Sequence, residues 1–237
     1  DAAVLEDIYL PYKPKRKTRA QAAREKGLEP LAEMILQAAP GADRSALIKP
    51  FVNIELGVED QDAALAGAMD IIAERIAEKE SERAGLRAAL EKQAVAAVRV
   101  RKEYKDKRTK FEQYYNYTAP LAAEPSHRIL AFRRGVEEGV LSLAVENPAA
   151  EEYKASLKRR NIPAKHSFTA ELSACMDDAY ERLLYPSVSN DVWSSALLRA
   201  ERDAISLFSR NLENLLLSPP AGRRSSAPPT RRAWRSS

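Results

Sequence analysis

The chain is 237 residues long, 45% hydrophobic and 30% charged, enough for one large folded domain or two small ones and too apolar for a disordered polymer. Its one cysteine, Cys175, excludes an intrachain disulfide and a cysteine-built metal site, and no apolar run approaches the ~20 residues of a membrane span. The formal charge of +4 is uneven: residues 218–237 hold five arginines and no acid, which leaves residues 1–217 at −1. Electrostatic arguments therefore rest on local clusters.

Only eight glycines occur, and Ala, Leu, Glu, Lys and Arg dominate, a mix that favours helix. The opening residues read as the end of a helix with Val4, Leu5, Ile8 and Leu10 on its apolar side, then a proline-punctuated loop. Thr18 and Gln21 have capping-box spacing and start a helix over 19–26, which Gly27 stops. Pro30 suits the first turn of the next helix, with Leu31, Met34, Ile35 and Leu36 inward, before Pro40 and Gly41. Two short helices joined at Gly27 have the outline of a helix-turn-helix.

Asp60 or Asp62 can cap a longer helix to about residue 79, with Leu65, Met69, Ile72, Arg75 and Ile76 at spacings of three and four. A helix over 81–93 follows, and then AVAAVRVRKEYKDK turns extended or irregular and basic. The pattern predicts helix over 109–117, a helix from Ser126 to about 134, and a turn bracketed by Gly135 and Gly139. GVLSLAVE is the one strand-like run. A charged helix over 151–160 closes at Pro163, and a helix over 169–184 with Cys175 inward is stopped by Pro186. From Asp191 to 217 runs the longest helix, with Leu197, Leu198, Ile205, Phe208, Leu212, Leu215 and Leu216 at helical spacing. Residues 218–237, rich in Pro, Ser and Arg, are expected to be disordered.

Seven cations (Lys13, Lys15, Arg16, Lys17, Arg19, Arg24 and Lys26) stand against one acid, Glu25, and form the candidate nucleic-acid site, with Tyr9 and Tyr12 as stacking surfaces. The competing reading is a solvated loop or a contact to further domains. A second cluster (Arg99, Arg101, Lys102, Lys105, Lys107, Arg108 and Lys110) is interleaved with Glu103 and Asp106 and reads as a solvated face. Phe111, Tyr114, Tyr115 and Tyr117 behind it suit a core or an interface. His127 and His166 lack the partners of a metal site. Ser126 and His127 are neighbours about 100° apart on a helix, so they form no nucleophile–base pair, and His127 is expected to pack or cap. No cofactor, metal or small-molecule substrate is expected.

Four separated motifs carry a family resemblance. LEDIYLPYKPKRKTRAQAAREKGLEPLAEMIL, PSHRILAFRRGVEEGVLSL, YERLLYPSVSNDVW and AISLFSRNLENLLLSPPAG together resemble, in order, the helical region of the Tex family of bacterial transcription accessory proteins. The resemblance covers about residues 1–222 and implies a longer protein, with helices upstream and ribonuclease-H-like, helix-hairpin-helix and RNA-binding OB-fold domains downstream. It places the main nucleic-acid affinity of the family in that OB-fold. The arginine-rich tail, where those domains would follow, is expected to be a truncation or reading-frame product. The absence of upstream helices would leave Val4, Leu5 and Ile8 open to self-association.

The expectation is a mainly α fold: a helix-turn-helix-like unit at 1–50, a multi-helix scaffold at 51–217 ending in a long helix, and a disordered tail at 218–237. The implied role is non-enzymatic and cytoplasmic, supporting transcription through sequence-independent contacts to RNA or DNA and through the transcription machinery. The alternative is a protein-interaction scaffold with no nucleic-acid contact.

Overall fold

A computed structural model describes residues 18–217 of the chain. The expected tail disorder, the Val4–Leu10 face and Lys13, Lys15, Arg16 and Lys17 lie outside the described residues. Helix α1 (Arg19–Glu25) begins where Thr18 Oγ1 accepts the Gln21 amide at 3.0 Å, and ends at Gly27, whose φ of 77° is the left-handed turn that glycine adopts without strain. Helix α2 (Glu29–Leu36) and the short α3 (Arg44–Ile48) follow. Helix α4 (Gln61–Glu78) starts at Asp60, whose carboxylate accepts the Ala63 amide at 2.7 Å. Both α1 and α2 lie on α4, burying Ala20, Ala23, Leu31, Ala32 and Ile35 in one cluster with Ala64, Ala68, Ile71 and Ile72.

Leu65 and Met69 are only half-buried, and Arg75 is exposed and paired with Glu33, so the inner stripe of α4 is alanine-rich rather than the one its larger side chains suggest. Small residues let two short helices approach α4 closely. A Cβ on Gly67 would come within 2.4 Å of Leu28 Cδ1. Helix α5 (Glu80–Gln93) turns directly from α4 and buries Leu86 and Leu90.

Three strands then form an antiparallel sheet in the order β2-β1-β3: β1 (Val95–Val100), β2 (Asn116–Pro120) and β3 (Leu141–Glu146). The GVLSLAVE strand is where the sequence pattern puts it. The helix predicted over 109–117 is not: a single 3-10 turn at Glu112–Tyr114 leads into β2. Tyrosine and threonine suit a pleated surface, and Tyr114 and Tyr117 gain T-shaped and tilted packing on Phe132 that a helix would not offer. Helix α6 (Ser126–Glu137) covers one face of this sheet. Gly135 lies inside α6 rather than in the turn. It is glycine because Leu141 packs against it, at 2.4 Å from where a Cβ would stand, and Gly139 alone makes the turn with φ 72°.

Helix α7 (Ala150–Asn161) leads to α8 (Thr169–Asp178). Pro186 does not stop the next helix, nor does that helix start at Asp191. Instead α8 runs through a π-turn, Ala179–Leu184, straight into α9 (Tyr185–Leu216). The Tyr185 amide donates to Tyr180 O, one residue further back than in an α-helix. That wider turn accommodates the ring and the missing N–H of Pro186, whose cost in a regular α-helix is about 3 kcal/mol. The first half of α9 buries Val188, Val192, Ala196 and Ala200. The second half leaves Ile205, Phe208, Leu215 and Leu216 more than 60% exposed.

Buried charges knit the helices together. Glu82 of α5, its side chain 3% exposed, accepts from Arg160 Nη2 at 2.5 Å and from Asn161 Nδ2 at 3.1 Å on α7. Arg83, equally buried, donates to Ser187 and Asp191 of α9 at 3.2 Å.

Candidate nucleic-acid interface

Of the basic stretch before and within α1, three members are described. Arg24 Nη1 donates to Glu74 Oε2 at 2.6 Å, and the other oxygen of that buried carboxylate accepts from Thr18 Oγ1 at 3.0 Å. Lys26 Nζ donates to Gly57 O at 2.8 Å. Arg19 is exposed and lines a shallow cavity with Asp62, Asp70 and Asp178. Burial raises the Asp70 pKa more than the charges of Arg182 and Arg19 lower it. Asp178 is held low, first by its hydrogen bond from Arg182, with Arg19 adding to the effect. Arg24 and Lys26 thus tie α1 to α4 and to the Gly57 turn, and Arg19 faces carboxylates. The outer side of α2 shows Glu29, Glu33 and Gln37, with no cation to meet a phosphate.

The second cluster is arranged differently. Arg99 of β1 donates to Tyr117 O at 3.1 Å and Thr118 Oγ1 at 3.0 Å, and Arg101 Nε donates to Leu141 O at 3.3 Å. Between them and β2 the chain forms a loop, 101–115, fixed from behind by aromatics. Phe111 and Tyr114 are buried beside Phe132, and the Tyr115 hydroxyl donates to Lys107 O at 2.6 Å. This is the core role expected for the aromatic run. Lys110 pairs with Glu138 at 2.7 Å, and Lys107 Nζ sits 5.2 Å above the Tyr104 ring. Lys102, Lys105, Lys107 and Arg108 are exposed and have no carboxylate partner among the described residues. Residues 101–110 hold six cations against Glu103 and Asp106.

The sequence alone suggests a solvated face there. What it cannot show is that the loop is anchored by buried rings, so its cations sit on a held surface rather than a floppy one. His127 is exposed on α6, not packed or capping as expected, and the preceding Ser126 hydroxyl donates to Asp203 at 2.5 Å instead of capping. Cys175 is buried and its Sγ lies 3.2 Å from Met69 O. Burial pushes its thiol pKa up to about 12, with the charges of Asp178 and Asp70 adding to the effect. Among the described residues no His, Cys, Asp and Glu group has the grouping to hold a metal ion, and no helix is long and apolar enough to cross a membrane.

The family model for a Tex central region-like domain matches residues 39–208, which takes in α3 to most of α9 and the sheet with its basic loop. The chain belongs to the Tex family. Among its Tex-family relatives, Protein tex of Bordetella pertussis is 37% identical over 231 residues, covering 92% of this chain and 29% of that protein. Transcriptional accessory protein Tex of Neisseria gonorrhoeae is 36% identical, covering 92% and 29%. S1 RNA-binding domain-containing protein 1 of Homo sapiens is 28% identical, covering 91% and 23%. The chain therefore spans under a third of the length of these curated relatives.

Proposed function

We propose that this chain is a non-enzymatic, cytoplasmic scaffold segment of a transcription accessory protein, and that it touches the phosphates of RNA or DNA without reading sequence. The observation that carries this reading is the anchored loop whose Lys102, Lys105, Lys107 and Arg108 are exposed, with no carboxylate partner among the described residues. Phosphate contact by such side chains releases counterions and needs no base-specific geometry. In this proposal Lys13, Lys15, Arg16 and Lys17 are further phosphate contacts, while Arg24 and Lys26 hold the end of α1 and Arg19 faces carboxylates. The names of the relatives, one a transcriptional accessory protein and one carrying an S1 RNA-binding domain, support a partnership with nucleic acid and the transcription machinery. No membrane and no small-molecule substrate enter the proposal.

The test is fluorescence anisotropy of the full chain with labelled single-stranded RNA and duplex DNA across a salt series. Replacing Lys102, Lys105, Lys107 and Arg108 with alanine is expected to reduce the slope of log K against log salt by about three for single strands, at ~0.7 per phosphate contact. An unchanged slope would overturn the loop's role. A second reading, a scaffold for proteins alone, draws on the exposed Ile205, Phe208, Leu215 and Leu216 of α9. Salt-insensitive behaviour of both the parent and the variant would favour it.

A further inference from the structure

An open cavity of about 250 Å³ lies between α5 and α9, and its floor is apolar: Leu90, Leu121, Ala122, Val192 and Ala196 line it. Leu198, three residues beyond the exposed Ser195 and so on the same side of α9, is 53% exposed and lengthens the apolar strip into a groove. The ends of this groove are cationic. At one end Arg83 and Arg87 of α5 donate to Asp191 at 3.2 and 3.4 Å. At the other, the exposed Arg199 donates to Leu121 O at 3.4 Å and has no carboxylate partner among the described residues. With Glu91 on the rim, three guanidinium groups stand against two carboxylates.

The chain itself holds a segment of the matching kind. Residues 1–10, outside the described residues, carry Asp1, Glu6 and Asp7 and no cation, with Val4, Leu5 and Ile8 at helical spacing. Thr18, the first described residue, donates to Glu74 near the end of α4, and α5 turns directly from that end. From Glu74 to Arg87 the two helices rise no more than about 20 Å, and residues 11–17 span up to about 25 Å when extended, so residues 1–10 reach the groove.

We infer that residues 4–10 of this chain dock in the α5–α9 groove as a short helix, with Val4, Leu5 and Ile8 on its floor and Asp7 at the Arg87 end. A helix of that length is marginal alone in water, and burial of three aliphatic side chains supplies what it lacks. The cationic ends favour this acidic segment over the basic stretch at 13–17, which is repelled from the same place. Docked there and tied at Thr18, residues 11–17 are held at both ends, which presents Lys13, Lys15, Arg16 and Lys17 together. Only the use of those cations on phosphate rests on the reading above; the docking does not.

The probe is a nitroxide on Ala3→Cys in the ¹⁵N-labelled full chain carrying Cys175→Ser, with no nucleic acid present. Amide broadening centred on Leu90, Ala122 and Ser195 is expected. Leu5→Asp together with Ile8→Asp should weaken it at least about fivefold, having lost the apolar contact. Arg199→Glu should weaken it about twofold or more. Ser195→Trp, which fills the groove from the exposed side of α9, should abolish the broadening while the thermal transition stays in place. Broadening centred on another surface, none at all, or broadening that survives both the paired aspartates and Ser195→Trp would each overturn the assignment. So would broadening in a mixture of nitroxide-bearing ¹⁴N chain and unmodified ¹⁵N chain, which would mark a second copy as the occupant.

Discussion

Replacing Arg160 with methionine should destabilise the fold more than replacing its partner Glu82 with glutamine. The asymmetry comes from exposure: the Glu82 side chain is 3% exposed and that of Arg160 is 44% exposed. Without Arg160, the carboxylate stays buried with only Asn161, at 3.1 Å, to satisfy it. Breaking a fully buried ion pair costs about 3–5 kcal/mol; Asn161 and the solvent at the arginine end reduce this to about 2–3 kcal/mol. Glu82→Gln keeps the volume and one acceptor, and the freed guanidinium turns to water, so about 1 kcal/mol is expected. Acidity supplies the second signature. In the parent, burial pushes the Glu82 pKa up, but the hydrogen bonds from Arg160 and Asn161 and the charge of Arg160 together bring it below the usual glutamate value. Its contribution is thus present above the unfolded pKa and lost as pH falls through the lower folded one. In Arg160→Met, burial acts nearly unopposed and the folded pKa rises above the unfolded value, so acidification protonates the carboxyl and relieves the penalty. Urea unfolding followed by circular dichroism at pH 7 and about pH 4 should show the gap between the two variants narrowing on the acid side. Equal costs at pH 7, or a gap that does not change with pH, would refute the reasoning.

Three further outcomes are expected. Gly135→Ala should cost about 1–3 kcal/mol in the same unfolding assay, because its Cβ would meet Leu141 at 2.4 and 2.8 Å. Cys175, with its thiol pushed up to about 12, should resist alkylation at pH 8 in the native chain and react on addition of urea. Rapid native labelling would contradict its placement. Pro186→Ala should leave stability within about 1 kcal/mol, whereas Ser195→Pro, in the regular part of α9, should cost about 3 kcal/mol or more. A gain of about 3 kcal/mol in Pro186→Ala would show that the π-turn does not accommodate the proline.

Helices with a capping residue at the start and glycine at the end were legible in the sequence to within a residue or two. Thr18, Gly27 and Asp60 each signal locally, through a hydrogen bond or a φ that only neighbouring residues decide. The segment 109–117 was not legible, because its strand exists by pairing with residues 95–99 and by packing on Phe132, neither of which is local. Pro186 misled for a related reason: proline is a helix breaker only against a regular turn, and nothing in AYERLLYP announces a wider one. The apolar recurrence of α9 was real, but periodicity records a face, not what covers it. The candidate site divided along the same line. Counting charges finds both basic stretches; it cannot tell that Glu74 and Gly57 O hold Arg24 and Lys26 while Lys102, Lys105 and Arg108 have no carboxylate partner among the described residues.

The π-turn between α8 and α9 also works as a phase setting. One residue more or less in a helix rotates everything beyond it by about 100° and shifts it by about 1.5 Å. Tyr180 and Leu184 within the turn and Val188, Val192 and Ala196 beyond it are all buried, so the turn keeps both rows on one core. Any change of length within Ala179–Leu184 would therefore turn Val188, Val192 and Ala196 out of the core together with the exposed Ile205, Phe208 and Leu212, so the packing of the first half of α9 fixes the direction of the second. The exposed end of the rod is thus aimed by core contacts made some twenty residues before it.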